Sequence, residues 1–242
     1  MNLPLDPAVA DESVAGQGSV SDTLYARIRG DILFGVLKPG AKLKLEAMRA
    51  DYEASVNTLR ETLSRLASEG LVISEGQRGF QVVPATLADL TDITGVRLML
   101  ECQAARLSLA RADLDWEARL VGAYHKLSRI EALVETDPER ASAQLETCNR
   151  AFHMALVDGC GSRWLMTFHG IMYDQSLRYR MLAFKVRHFP REKSRQEHRQ
   201  ILDLALARDM TRLEQVLVEH ITKGANLYGE ADLADGKRVD AP

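Results

Sequence analysis

One stretch of the chain constrains the fold more than any other, because it reads as a capped helix followed directly by a hairpin. The segment from Ser55 to Leu66, SVNTLRETLSRL, places leucines at positions 59, 63 and 66, which is the spacing of one helix face. Its first residue is a favoured N-cap type. Two short apolar runs follow, at 71–73 and 80–83, and they are joined across Glu75 to Gly79. This order predicts a helix with a two-stranded wing behind it.

Two shorter helices are predicted ahead of this element. Ser21 or Asp22 can cap a first helix that ends before the turn at 38–40, and its inner face carries Leu24, Ile28 and Ile32. A short strand is expected around Leu43 and Leu45, and a second helix from about 46 to 52. Three helices and a wing predict a winged helix-turn-helix domain over residues 19–84, in which the third helix enters the major groove of DNA.

The polar face of the third helix and the tip of the wing carry the candidate DNA contacts. Arginine suits a guanine edge or a phosphate, and the smaller polar side chains suit either base edges or the backbone. The candidates are Ser55, Asn57, Thr58, Arg60, Ser64 and Arg65 on the helix, with Arg78 and Gly79 in the wing.

The net charge of the chain gives little support to the prediction of DNA binding. Residues 21–84 carry nine Lys and Arg against eight Asp and Glu, and the whole chain has a net charge of −3. Affinity for phosphate is therefore expected to come from a few well-placed side chains, from helix N-termini and from two DNA-binding domains per particle.

Residues 84–86, Pro-Ala-Thr, form the predicted linker, and almost everything after them has helical periodicity. Helices are expected from Leu87 to about Gly229, with short turns near 159–162 and 208–210 that suit antiparallel neighbours. The predicted fold class is mainly α, with a bundle of six or seven helices over residues 85–230. Residues 1–18 are expected to be a disordered tail, and residues 231–242 a mobile one.

Composition excludes several protein classes. The chain is 46% hydrophobic, but no apolar run approaches the about 18 residues that a membrane span requires. The N-terminus has neither a basic start nor an apolar core, so no signal peptide is expected. The three cysteines, Cys102, Cys148 and Cys160, have no metal-knuckle spacing, and their odd number argues against a disulfide framework. A cytoplasmic location is expected.

Four residues in the helical region have the chemistry of metal ligands. Asn149 and His153 are four residues apart and share one helix face, while His198 and His220 lie on the last two predicted helices. Three imidazoles and one amide oxygen suit zinc, nickel, copper or iron. Spacing alone is a weak argument, since a histidine in a helix is more often a surface or hydrogen-bonded residue. His125, His169 and His188 are interpreted in that way.

Arginines in the same region have two open interpretations. Arg97 and Glu101 are four residues apart, so they form either a surface ion pair worth about 0.3–0.5 kcal/mol or a group aimed into the bundle to hold a carboxylate. Arg178 and Arg180 raise the same question on a later helix. Arg178 is predicted to be the inward one, which gives Arg97, Glu101 and Arg178 as effector-binding candidates.

These residues together resemble a known family. Phe34 to Leu43, Leu59 to Leu66 with Glu69 to Val72, and the wing residues 78–80 are similar to GntR-type transcriptional regulators of the FadR branch, which carry an FCD effector domain. The resemblance covers about residues 20–230. Within the family the chain is most similar to regulators of carbon-starvation and glutarate genes, through Asn57 to Glu61 and Arg178 to Arg180.

The resemblance implies a ligand set and an effector. Family members hold a divalent metal with an Asp or Asn, a His four residues later and one His from each of two later helices, which Asn149, His153, His198 and His220 match. Zinc or nickel is the expected ion. A small organic acid is implied at the remaining coordination positions, near Arg97. Many members have Asp where this chain has Asn149, so weaker metal binding is expected.

Two functions from different classes remain. The first is a homodimeric regulator, most often a repressor in this family, that binds a palindromic double-stranded DNA operator and is controlled by a small carboxylic acid. Its recognition helix has Val56 where many members have Arg, so one DNA contact is expected to be missing or replaced. The alternative is a metal-dependent enzyme with a three-histidine site, but this leaves residues 21–84 without a purpose.

Overall fold

The structure is a computed structural model that describes residues 20–76, 79–134, 138–186 and 191–234. The predicted N-terminal tail, Arg78 and His188 lie outside the described residues. The described chain forms two compact units, with the division falling between Val83 and Pro84 and with Leu33–Gly35 grouped with the second.

The first unit has three helices and three strands. The helices are α1 (Val20–Leu33), α2 (Leu45–Tyr52) and α3 (Val56–Ser68), and the strands are β1 (Lys42–Leu43), β2 (Val72–Ser74) and β3 (Phe80–Val82). Their apolar faces are buried as the periodicity predicts, since Leu59, Leu63 and Leu66 of α3 are completely buried and Met48 of α2 is 4% exposed. Burying each of these leucines contributes about 1.5–3 kcal/mol relative to leaving it exposed.

The sheet of this unit contains one strand more than the predicted wing. β3 lies in the centre and pairs antiparallel with both β1 and β2, in the order β1-β3-β2. The amide of Gly40 donates to Val82 O (3.0 Å), and that of Val82 donates to Ala41 O (2.9 Å), so the turn before β1 is tied to the wing. Leu45 was predicted in a strand, but it begins α2 because the strand ends at Leu43.

The second unit is a helical bundle. Its helices are α4 (Leu87–Arg111), α5 (Leu114–Val134), α6 (Pro138–Val157), α7 (Arg163–Val186), α8 (Arg191–Leu206) and α9 (Met210–Ala234), with a short 3-10 turn at Asp158–Cys160. The mainly α fold class is confirmed. α9 continues four residues into the segment predicted as a mobile tail, and the rest of that segment is not described. Within the described ranges no helix is long and apolar enough to cross a membrane.

The bundle buries an unusually polar helix. α4, α5, α6, α8 and α9 supply an apolar core around Trp116, Phe152 and Leu213. Every residue of α7 from Tyr173 to Met181 is also buried, including two arginines. A buried charge requires a partner. α7 therefore supplies polar groups to the interior, and the candidate site forms around it.

Candidate metal centre and nucleic-acid interface

Three helices bring three histidines together inside the second unit. His153 comes from α6, His198 from α8 and His220 from α9, and one ring nitrogen of each lies within 4.8 Å of those of the other two. The ring centroids of His198 and His220 are 4.7 Å apart. His153 is completely buried and His198 is 3% exposed. This is the convergence that a shared metal ion requires.

Each histidine is oriented by its own glutamate. An ionised carboxylate only accepts hydrogen bonds, so the paired Nδ1 carries the proton and Nε2 carries the lone pair. The pairs are His153 with Glu101 Oε1 (2.5 Å), His198 with Glu131 Oε1 (2.7 Å) and His220 with Glu197 Oε2 (2.9 Å). Carboxylates in this position fix the tautomer and ring orientation of metal-binding histidines.

Three other polar atoms of the cluster have no hydrogen-bond partner among the described residues. Nε2 of His153 and Nε2 of His198 are buried and lack a hydrogen bond within the described part of the chain. The same holds for Oδ1 of Asn149, whose Nδ2 donates to the Tyr173 hydroxyl (2.9 Å). Buried polar atoms are rarely left unpaired in proteins. Two imidazole nitrogens and an amide oxygen lining one cavity with His220 therefore fit a divalent ion.

Electrostatics keep these histidines ready for a metal. Burial lowers the pKa of His153 to about 4 and that of His220 to about 3, despite the neighbouring glutamates. Burial alone would raise the pKa of Glu197, but hydrogen bonds from His220 and Lys223 bring it down to about 2. At neutral pH the imidazoles of His153 and His220 are therefore uncharged, which is the form that binds metal ions.

A cavity opens beside the histidines. The centres of water molecules can occupy about 70 Å³ of this cavity. A single water needs only about 10–15 Å³ measured in the same way. Asn149 and the three histidines all line it, so the structure brings the four predicted ligands to one place. Three basic side chains, Arg97, Arg180 and Lys223, line the same cavity.

The two arginines meet on one serine. Nη1 of Arg97 and Nη1 of Arg180 each donate to Ser176 Oγ at 3.0 Å, and both guanidinium groups lie against the Tyr173 ring. Arg97 also donates through Nε to Glu101 Oε2 (3.0 Å), and Arg180 donates to Glu146 Oε2 (2.9 Å). Arginine has five N–H donors, so Arg97 retains donors beyond these two for a bound anion.

Two predicted effector residues lie elsewhere. Arg178 does not line the cavity, because two residues along a helix turn a side chain to nearly the opposite face. Its guanidinium pairs with Asp89 (3.3 Å). Arg178 and Arg180 are both buried, and Arg180 is the one that lines the cavity. Glu101 also stands behind the cavity wall, where it holds side chains that line it.

The other histidines match their interpretation where they are described. His169 is a buried hydrogen-bonded residue whose Nε2 lies 3.0 Å from Glu101 Oε2, and His125 is exposed. Sequence reasoning missed Glu131 and Glu197 as partners of the metal-ligand candidates. Glu197 directly precedes His198 but serves His220, and Glu131 lies 67 residues from His198, so neither pair had a local signal.

The recognition helix α3 has the predicted polar start. Ser55 is its N-cap, and its Oγ accepts from the amide of Thr58 (3.1 Å) and lies 2.8 Å from Thr58 Oγ1. Asn57, Arg60 and Ser64 are exposed along the same helix. Their side chains are therefore accessible to a nucleic acid.

Arg65 is engaged inside its own unit. Its Nη1 donates to Asp22 (3.1 Å), and its guanidinium lies 3.7 Å from the centroid of the Tyr25 ring. These contacts tie α3 to α1, so a DNA contact by Arg65 would have to compete with them. In the wing, Gly79 has a φ of +99°, a conformation that favours glycine.

Comparison with known proteins gives a consistent result. Residues 20–82 match the profile of the bacterial regulatory proteins of the gntR family, and residues 92–223 match the FCD domain. The chain is 39% identical over 231 residues to the HTH-type transcriptional regulator BphR of Paraburkholderia xenovorans strain LB400, covering 94% of each chain. It is 30% identical over 200 residues to the HTH-type transcriptional repressor GlaR of Escherichia coli strain K12, covering 81% of this chain and 90% of that one.

Solved structures share the fold. E. coli McbR/YncC superposes with a TM-score of 0.71 at 20% identity, covering 88% of this chain and 99% of that one. A GntR-type regulator from Rhodococcus sp. RHA1 superposes with a TM-score of 0.69 at 21% identity and the same coverage. At these identities the likeness concerns the fold alone.

Proposed function

The chain belongs to the GntR family of bacterial regulators and carries an FCD domain, and from this premise we propose that it is a metal-assisted, acid-responsive repressor. Both matched families consist of transcription regulators, so the chain is a regulator of transcription and the alternative of a metal-dependent enzyme is set aside. In the proposed cycle, a dimer holds a palindromic operator and releases it when a small carboxylic acid binds in the helical unit. Repression rather than activation is supported by the relative GlaR, which is named a transcriptional repressor.

One observation carries the metal part of this proposal. Three histidines bring one ring nitrogen each to within 4.8 Å of one another, and a separate glutamate pairs with Nδ1 of each ring. Among the described residues, Nε2 of His153 and Nε2 of His198 are buried and have no hydrogen-bond partner. With the Asn149 oxygen these atoms form a set of three nitrogens and one neutral oxygen, which suits zinc or nickel. A bound ion would supply positive charge and open coordination positions at the cavity.

The cavity chemistry supports a carboxylic acid as the effector. Arg97 and Arg180 bring two guanidinium groups to Ser176 on the wall that also carries the metal-ligand candidates. Guanidinium groups bind carboxylates with paired, charge-assisted hydrogen bonds. The centres of water molecules can occupy about 70 Å³ of this cavity, which leaves room for a compact acid.

The exposed start of α3 and the wing are the proposed DNA-contacting elements. Asn57 and Arg60 are the candidates for base edges, while Ser55, Thr58 and Ser64 are candidates for backbone contacts. Two copies bound to two half-sites would double the few phosphate contacts that each unit can make, which offsets the nearly neutral charge of residues 21–84.

A thermal-shift screen tests the sensing half. Chelator-treated protein is melted with Zn²⁺, Ni²⁺ or Mg²⁺, then with the best ion plus each of a panel of C2–C6 carboxylic acids. Binding to the folded state stabilises by RT ln(1 + [L]/Kd), which is about 2.7 kcal/mol at 100 times Kd. Zinc or nickel is expected to raise the melting temperature, and one acid to raise it further.

The matched variants are His198→Asn, which should abolish the metal shift, and His125→Asn, which should retain it because His125 is exposed. The acid that emerges is then added to protein bound to its own promoter fragment, with release followed by fluorescence anisotropy. A protein that binds neither metal nor acid, or an acid that leaves the DNA complex intact, would refute the proposed cycle.

A further inference from the structure

One buried carboxylate lies between the metal-ligand candidates and the effector arginine. Glu101 of α4 is completely buried, and its two oxygens have different partners. Oε1 pairs with Nδ1 of His153 (2.5 Å), whereas Oε2 accepts from Nε of Arg97 (3.0 Å) and pairs with Nε2 of His169 (3.0 Å). His153 and Arg97 line the cavity, but Glu101 and His169 do not.

These partners compete for one negative charge. A carboxylate in a low-dielectric interior interacts strongly with every neighbouring donor, and strengthening one bond reduces the electron density available to the others. The carboxylate of Glu101 lies within 3.0 Å of nitrogens from one arginine and two histidines, so its charge is shared among three partners. The strength of its hydrogen bond with His153 therefore depends on how strongly Arg97 and His169 bind the other oxygen.

We propose that Glu101 is a positioning residue that makes metal binding and effector binding depend on each other, because its single carboxylate orients both His153 and Arg97. This inference rests on the proposed metal and acid site. When Nε2 of His153 binds a cation, its Nδ1–H becomes a stronger donor and draws on Glu101. Arg97 is then held less tightly through Nε, and more of its charge is available to an incoming carboxylate.

The reverse step follows by thermodynamic linkage. An acid that binds Arg97 weakens the hydrogen bond between Arg97 and Oε2 of Glu101. Glu101 then binds Nδ1 of His153 more strongly, which makes His153 a better metal ligand. Coupling between two binding sites is reciprocal and is typically 5- to 150-fold in affinity. The coupling carried by Glu101 adds to any direct contact between acid and metal, so its test must leave the acid out.

The deciding experiment is a double-mutant cycle on metal affinity alone. The Kd of full-length protein for Zn²⁺ is measured by competition with a chromophoric chelator for wild type, Arg97→Gln, Glu101→Gln and the double variant. In the wild-type background Arg97→Gln should tighten Zn²⁺ binding about 5-fold or more, because Glu101 is released to His153. In the Glu101→Gln background the same change should alter Kd less than about 2-fold.

Simple repulsion between Arg97 and the ion would act in both backgrounds. An equal effect of Arg97→Gln with and without Glu101 would therefore overturn the inference. Arg106→Gln is the matched control, since it removes an arginine from the same helix whose partner is Glu214 and not Glu101, and its Zn²⁺ Kd should stay within about 2-fold of wild type.

A second variant avoids any change to Glu101 or to the cavity wall. His169→Phe keeps an aromatic ring in the buried position but removes a partner of Oε2, so it should also tighten Zn²⁺ binding. If the Glu101→Gln proteins do not fold, as judged by circular dichroism, this variant decides, and an unchanged or weaker affinity would overturn the inference. Wild-type protein that binds no Zn²⁺ would instead refute the metal part of the proposed function.

Discussion

At the scale of single residues, the site depends on which nitrogen of each histidine is free. His153, His198 and His220 each direct Nδ1 to a glutamate, so Nε2 is the nitrogen that each ring has left for a metal ion. A ring turned the other way would place its protonated nitrogen toward the metal position. The glutamates therefore matter as much to the site as the histidines do.

The same burial links folding to pH in the metal-free protein. Burial lowers the pKa of His153 to about 4 and that of His220 to about 3, from an ordinary value of 6.5. As pH falls below 6.5 the unfolded chain binds protons at these residues while the folded chain does not. The free energy of unfolding should then fall by about 1.4 kcal/mol per pH unit for each of them, until their folded pKa is approached.

Urea denaturation of chelator-treated protein at pH 7.5, 6.5 and 5.5 measures this slope. His220→Asn should show a flatter dependence than wild type, because one of the two titrating groups is gone. His125→Asn changes an exposed histidine and should run parallel to wild type. If His220→Asn also runs parallel, His220 is already protonated in the folded state and the expected slope is wrong.

Asn149 gives a second residue-level prediction. Its amide oxygen is neutral, so a carboxylate there should attract a cation more strongly, and Tyr173 can rotate its hydroxyl from acceptor to donor. Asn149→Asp is expected to tighten Zn²⁺ binding about 10-fold, equivalent to about 1.4 kcal/mol. Isothermal titration calorimetry measures the change, with Asn149→Ala as the variant expected to weaken binding. Equal affinity in all three proteins would exclude Asn149 as a ligand.

The sequence could predict the parts of this site that depend on residues close together in the chain or on the family resemblance. The spacing of Asn149 and His153 places both on one helix face, and the family resemblance joined His198 and His220 to them. Periodicity could not decide between Arg178 and Arg180, because every residue of α7 from Tyr173 to Met181 is buried and this stretch has no exposed face. The pairing of Glu131 with His198 depends on tertiary packing alone.

At the scale of elements, two arginines of α3 are expected to have different roles, one in DNA binding and one in stability. Arg60 and Arg65 are both exposed on this helix, but Arg65 is bound to Asp22 and lies on Tyr25, whereas the structure gives Arg60 no such anchor among the described residues. Arg60→Ala should weaken operator binding by about 1–3 kcal/mol if the side chain reads a base edge. Arg65→Ala should lower the stability of its unit by about 0.5–1 kcal/mol.

Anisotropy titrations on operator and on unrelated DNA, combined with thermal melts, distinguish these roles. Arg60→Ala should lose specificity without losing stability, and Arg65→Ala should show the opposite pattern. A large loss of operator affinity in a fully stable Arg65→Ala protein would restore Arg65 as a DNA contact. Lys42→Ala serves as a control, since this exposed residue lies on β1, outside the recognition helix.

The elements themselves were largely predictable. The leucines at 59, 63 and 66 and the cap at Ser55 locate α3 because local propensity, periodicity and burial agree. β1 was harder to place, since a strand of two residues has no periodicity and forms only by pairing with β3. α4 begins where predicted because Thr86 caps it directly.

At the scale of the whole molecule, a signal must leave the cavity through the start of α4 if it is to reach the other unit along the chain. The Tyr179 ring lines the cavity, and its hydroxyl contacts the amide of Thr86 (3.4 Å) and the carboxylate of Asp89. Thr86 in turn caps α4 by accepting from the Asp89 amide (3.1 Å). One side chain thus touches both the effector space and the helix that follows the division at Val83 and Pro84.

Tyr179→Phe should therefore separate binding from response. The ring remains, so the affinity for the acid found in the screen should stay within about 2-fold of wild type, and operator binding without acid should also be retained. Without the hydroxyl, the acid-induced drop in operator affinity should shrink at least about 5-fold, which is the lower end of typical coupling between sites. The drop is measured by operator anisotropy titrations with and without saturating acid, alongside Tyr124→Phe, which alters a tyrosine outside the cavity lining. If Tyr179→Phe responds to acid as fully as wild type, the signal does not pass through this hydroxyl, and the cap of α4 is a structural feature only.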